Sequence, residues 1–127
     1  MALAYIEGVE QYRRGEDRAP WRMDGAWFKD SARRILPTAS EDAIAELYPL
    51  VRFGLFHSGF TKGNVYLSPR FPTALEKRDG DLQINPQLFI ESVVEDLTAY
   101  AKDLRDNPSG ELARNFLKVW DDRWENS

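Results

Sequence analysis

The chain has 127 residues, 43% of them hydrophobic and 13% aromatic, which fits one folded domain with a modest core and excludes a disordered chain. With 17 basic against 21 acidic residues the net charge is −4, so any contact with nucleic acid has to come from a local basic site. There is no cysteine and no run of roughly 18 apolar residues, which excludes disulfide frameworks, thiolate zinc sites and a membrane-spanning helix.

In chain order, a first helix is predicted over Ala4–Arg14, where Tyr5, Ile6, Val9 and Tyr12 recur at helical spacing and Gly15 stands at the end. The opening MALAYIEGVEQYRRGED turns polar too early for a secretory signal, so the expected location is the cytoplasm. After a loop at DRAPWRMDG, a short helix is predicted around Ala26–Leu36, stopped by Pro37. Ser40 suits the N-cap of the next helix, with Glu41 and Asp42 at its positive end. Ile44, Leu47, Val51 and Leu55 draw an apolar stripe along it, and Pro49 inside the run is expected to bend it.

Beyond Gly59 the pattern changes. NVYLS reads as a strand, and TALEKRDGDLQIN as a hairpin turning at Asp79-Gly80, a dipeptide that tolerates positive φ. Asn85 and Pro86 open a long helix whose expected buried stripe is Phe89, Val93, Leu97, Tyr100 and Leu104. DNPSG interrupts the chain, and a last helix is predicted over Glu111–Trp124, with Leu112, Phe116, Val119, Trp120 and Trp124 on one side. The expected fold class is mainly α: a single helical domain over residues 1–127 with a small β-hairpin insertion at about 64–85.

Charge is uneven, since ten acidic and five basic residues lie from Asp81 onward, against eleven and twelve before it. Glu91, Glu95 and Asp96 on the long helix read as its solvated face, and no second histidine is available to make them a metal site. Trp120 and Trp124, one turn apart among apolar neighbours, read as packing residues or as a dimer contact. No metal or cofactor is expected.

The chain's single histidine sits in LYPLVRFGLFHSGFTKGN, five positions after Arg52. An imidazole both takes and gives protons near neutral pH, and a guanidinium offers a charged planar fork to phosphate oxygens. Those two groups suffice for metal-free internal transesterification of a phosphodiester. On a regular helix residues five apart are rotated by roughly 140°, so Arg52 and His57 would need unwinding at Gly54, a helix end near His57, or a second copy to meet.

The segment ELYPLVRFGLFHSG resembles the Arg-x4-His signature of the HEPN superfamily, and more narrowly the LY-x3-R-x-G-L-x-H stretch of HEPN-like bacterial proteins. The resemblance covers about 15 residues. It implies a helical HEPN-like domain, commonly a homodimer, and a metal-independent endoribonuclease of the toxin or phage-defence kind acting on RNA. His57 would then serve in proton transfer and Arg52 would hold the phosphate, with Lys62 as an additional backbone contact. A cognate antitoxin or other neighbour-encoded partner is implied as well. Many active members carry a polar residue directly after the arginine, where this chain has Phe53.

Phe53 favours a rival reading, a non-catalytic helical module that binds protein or nucleotide, in which Arg52 pairs with Glu46 or with an acid of the long helix. A third reading is a structural or regulatory protein unrelated to the superfamily. Lys77, Arg78 and Arg70 are read as a local basic rim or as solvated charges.

Overall fold

A computed structural model describes residues 2–16, 25–53 and 65–125, with side chains described for 4–16, 25–49 and 65–124. Helix α1 (Ala2–Arg14) is followed by α2 (Gly25–Ile35) and α3 (Glu41–Phe53). Strands β1 (Val65–Leu67), β2 (Leu75–Arg78) and β3 (Asp81–Ile84) come next, then the long α4 (Pro86–Asp106) and α5 (Glu111–Trp120). The helical path continues past α5 as a wider π-helical turn over Asp121–Glu125. The chain is mainly helical with a small sheet, and among the described residues no helix is long and apolar enough to cross a membrane.

Local chemistry fixes the ends of these elements. Helix α1 stops at Gly15, whose φ of 72° lets the Glu16 amide reach back to the Gln11 carbonyl at 3.0 Å. A Cβ at Gly15 would lie 2.8 Å from the Asn115 side chain, so glycine also permits the close seat of α5. Ser40 Oγ accepts the Ala43 amide at 3.2 Å and starts α3. That helix runs through Pro49, which sits with Ala45 on the exposed face, so the carbonyl that the proline cannot bond faces solvent and not the core.

The hairpin turns where expected, at Asp79 (φ 53°) and Gly80 (φ 82°), both left-handed as a two-residue connection requires. The sheet is larger than that hairpin. Strand β1 pairs in parallel with β3, with Val65 opposite Leu82 and Leu67 opposite Ile84, so the strand order is β1-β3-β2. Period-two alternation turns Leu82 and Ile84 inward, and Leu75 stands opposite Ile84 on the same face. These residues share one apolar cluster with Phe28, Leu47 and Phe89. The strands therefore close the core rather than decorate it.

Helix α1 packs against α2, α4 and α5, while α3 bridges α2 and strand β2. Ile6, Phe28, Leu36, Ile44 and Leu47 are almost wholly buried where these elements meet. Burial of each such side chain contributes about 1.5–3 kcal/mol.

Asn85 is the joint between sheet and α4. Its Oδ1 accepts the amides of Gln87 and Leu88 at 3.0 and 3.2 Å, capping the helix that Pro86 opens. Its Nδ2 donates to the carbonyls of Pro69 and Phe71 at 3.2 and 2.8 Å, and its own amide donates to Ala74. Replacing it with alanine removes a cap and two loop anchors at once. Asn85→Ala is expected to lower stability by about 2–3 kcal/mol in urea denaturation, above the ~1 kcal/mol of an ordinary cap. A loss within the range of a surface substitution would show that the loop anchors contribute nothing.

Candidate functional site

Arg52 falls in the last turn of α3, near the negative end of the helix, and its side chain lies beyond the described ones. His57 and Lys62 lie outside the described residues, as do Gly54, Gly59 and Trp21. Glu46, offered in sequence as a partner for Arg52, is bound by Lys77 at 2.6 Å, which holds the lysine charged above its ordinary range. Arg78 lies 3.6 Å from Glu76. Two of the three cations of the expected basic rim are thus paired within the protein.

Among the described residues, ion pairs form a chain across α1, α2 and α4. The Glu10 side chain is only 5% exposed and accepts from Arg14 Nε at 2.9 Å and from Arg34 Nη1. Arg34 Nε also donates to Asp96 at 3.2 Å, and the Tyr5 hydroxyl donates to the same carboxylate at 2.6 Å. From Arg14 the chain runs outward through Asp30 to Arg33, which grips Glu41 with two nitrogens.

Burial opposes the charge on Arg34, and its bonds and attraction to Glu10 and Asp96 outweigh that, leaving its pKa raised. Burial, then the bond to Asp96, pushes the Tyr5 phenol far up. Each carboxylate of the set is held by a guanidinium, so none is a free general base. The set is a cross-link between helices. Asp96 accordingly leaves the solvated face expected for it and becomes a half-buried partner of two other helices. Among the described residues no group of three His, Cys, Asp or Glu side chains could hold a metal ion.

Among the described residues the exposed large apolar side chains lie on β1, α4, α5 and its π-helical turn. On α4, Phe89, Val93 and Tyr100 are buried, but Leu97, expected in the same stripe, is 48% exposed and continues a second stripe with Ile90 and Val94. These three stand at i, i+4 and i+7, so the apolar arc of α4 is wider than the core it meets. On α5 and its π-helical turn, Leu117, Trp120 and Trp124 are likewise exposed, Trp124 to 62%. The expectation that Trp120 and Trp124 are packed is corrected: each ring leans on the next, from Phe116 through Trp120 to Trp124 at 6.0 and 5.8 Å, at the surface.

The two apolar edges join across a groove of about 250 Å³ between α1, α4 and α5, lined on one side by Leu97 and on the other by Phe116. Trp27, by contrast, is buried under the Arg14 guanidinium at 4.6 Å.

No protein-family model, curated protein or solved structure matches the chain. Sequence reasoning missed both the buried ion chain and the groove. The one signal for the first was Glu10 amid Val9 and Gln11 on the apolar side of α1; nothing in one-dimensional spacing marks the second.

The ion chain makes a definite prediction. Glu10→Ala removes the acceptor that Arg14 and Arg34 share, leaving each with one carboxylate, Asp30 and Asp96, and is expected to cost about 1–3 kcal/mol in chemical denaturation. Glu10→Leu combined with Arg34→Met should lose less than the sum of the two single variants, because both singles break the same pair. A double variant as unstable as the sum of its parts would refute the cross-link.

Proposed function

We propose that this chain is a cytoplasmic, non-catalytic helical binding module that associates through the apolar face of α4 and α5, and that it does so as a homodimer. What supports the reading is the exposed set Ile90, Val94, Leu97, Leu117, Trp120 and Trp124. Large exposed apolar surfaces rimmed by polar residues mark interaction sites, and buried aromatic anchors carry most interface energy. The charges next to this face, Glu91 and Glu95 on α4, keep the unpaired surface soluble without crossing the apolar stripe.

Val94→Glu places a charge in the centre of the stripe on a half-exposed position, so folding is spared. Sedimentation equilibrium across the micromolar range is expected to show dimers for the wild-type chain and monomers for Val94→Glu. A wild-type chain that sediments as a monomer throughout removes the homodimer from this reading.

A second reading keeps the resemblance to the HEPN superfamily: a metal-independent endoribonuclease of toxin or phage-defence type acting on RNA and restrained by a neighbour-encoded antitoxin. It rests on the Arg-x4-His spacing of Arg52 and His57 in the sequence. In that reading His57 moves the proton at the ribose 2′-hydroxyl, Arg52 holds the phosphate and Lys62 contacts the backbone. RNA cleavage with EDTA present is then expected to fall by about 10²–10⁴-fold in His57→Ala, and strongly in Arg52→Ala. Equal rates in wild type and both variants would leave the binding module alone.

A further inference from the structure

We propose that two copies of this chain pair α4 against α4 in antiparallel register about a two-fold axis at Thr98, so that the acidic end of each helix edge faces the basic end of the other. The inference rests on the homodimer proposed above and adds to it the orientation of the copies and the side chains that specify it.

Three observations carry it. The first is an apolar seam. Ile90, Val94, Leu97 and Ala101 follow one another at steps of four, three and four along α4, the repeat that keeps one line of a helix against a neighbouring helix. The row one position earlier, Phe89, Val93 and Tyr100, is the one buried in the protein's own core. Ile90, Val94 and Leu97 are exposed and Ala101 is half-buried, so the seam is open to a second helix.

The second is the row one position later. It reads Glu91, Glu95, Thr98, Lys102 and Arg105, all exposed: two acids, an uncharged centre and two bases. A two-fold axis brings an edge of one helix against the same edge of its copy, running the other way. With the axis at Thr98, Glu91 of one copy meets Arg105 of the other and Glu95 meets Lys102, and each contact occurs twice. The same register sets Leu97 against Ala101 of the second copy, so the apolar and the charged rows agree on one alignment. Parallel pairing would put each of these charges against its like, which is repulsive.

The third is that the isolated helix gives this row no reason. Stabilising pairs within a helix join opposite charges three or four positions apart, but Glu91 and Glu95 are like charges at that spacing, and Ala99 stands four positions beyond Glu95. Among the described residues neither Glu95 nor Arg105 has an ion-pair partner, and Glu91 accepts from the neutral Gln87 amide at 3.4 Å. Lys102 donates to Asp106 at 2.6 Å on the open surface, where a second carboxylate can share the ammonium. Attraction to the helix dipole fades beyond the terminal turns, and of this row only Arg105 lies in one. The surface that matches these charges in sign, order and spacing is the same helix inverted.

The chain has no cysteine, so a single introduced thiol reports one position. Thr98→Cys in the full chain is expected to be joined to its copy by a short bismaleimide. Gln87→Cys, on the same side of α4 but about 33 Å from its copy along the helix axis, is expected to stay unjoined. Arg105→Glu sets like charges together twice and should raise the dimer dissociation constant about tenfold in sedimentation equilibrium. Adding Glu91→Arg to it should restore wild-type association, since the pair is then only reversed. All of these positions are exposed, so the variants keep the fold. Three results overturn the antiparallel register while leaving a homodimer in place: a joined Gln87→Cys, an unjoined Thr98→Cys in a chain that sediments as a dimer, or a double variant no tighter than Arg105→Glu. A wild-type chain that sediments as a monomer throughout removes the homodimer itself, and this register with it.

Discussion

The Glu10 carboxylate, 5% exposed on α1, accepts from both Arg14 of its own helix and Arg34 of α2. A lone carboxylate taken out of water loses several kcal/mol of hydration even after relaxation, and paired guanidiniums are the side chains best shaped to offset that. Arg34 in turn reaches Asp96 on α4, which Tyr5 of α1 also holds. Three helices are therefore fixed by groups that tolerate few other arrangements. Apolar packing alone permits sliding and rotation; a guanidinium shared between two carboxylates defines position and register.

That constraint has a consequence on the far side of the molecule. With α1 and α2 locked to the first half of α4, the inward face of α4 at Phe89 and Val93 meets Leu75, Leu82 and Ile84 from the sheet. Asn85 then carries the chain from β3 into α4 with every backbone and side-chain polar group engaged. The sheet has only three strands, too few to be stable unsupported, and it survives because one face is covered by helices. The polar cross-link and the apolar core are complementary: one sets where α4 sits, the other supplies the burial that makes sitting there favourable.

Local signals in the sequence were read well where the physics is local. Gly15, Ser40, the Asp79-Gly80 turn and the Asn85-Pro86 start depend on residues within a few positions, and each stands where its chemistry indicates. The parallel partner of β1 was not legible, since VYL carries no mark of which strand it will join. Neither was the burial of Glu10 and Asp96. Tyr5 and Asp96 are 91 positions apart, and nothing in either segment names the other. Leu97 and Trp124 failed for a different reason: helical spacing assigns a face, but not whether a neighbouring element covers it. Of the candidate sites, Arg52 and His57 come from a contiguous motif, whereas the groove is assembled from three helices and an absent side chain.

Departures from local optimality collect around that groove. Gly8 lowers the helix propensity of α1, the Tyr100 hydroxyl goes unpaired, and Leu97 stands half in water, all within one surface between the same three helices. Elsewhere the described protein is consistent, with capped helices, a fitting turn and partnered charges. Sequences that agree with their fold at most levels and depart from it at one place usually do so where function requires it. Tyr5 borders the groove with its hydroxyl tied to Asp96, so one wall is held by the ion chain. Alanine at Gly8 would raise the helix propensity of α1 without a clash, and a glycine kept there is within what mutation–selection balance allows.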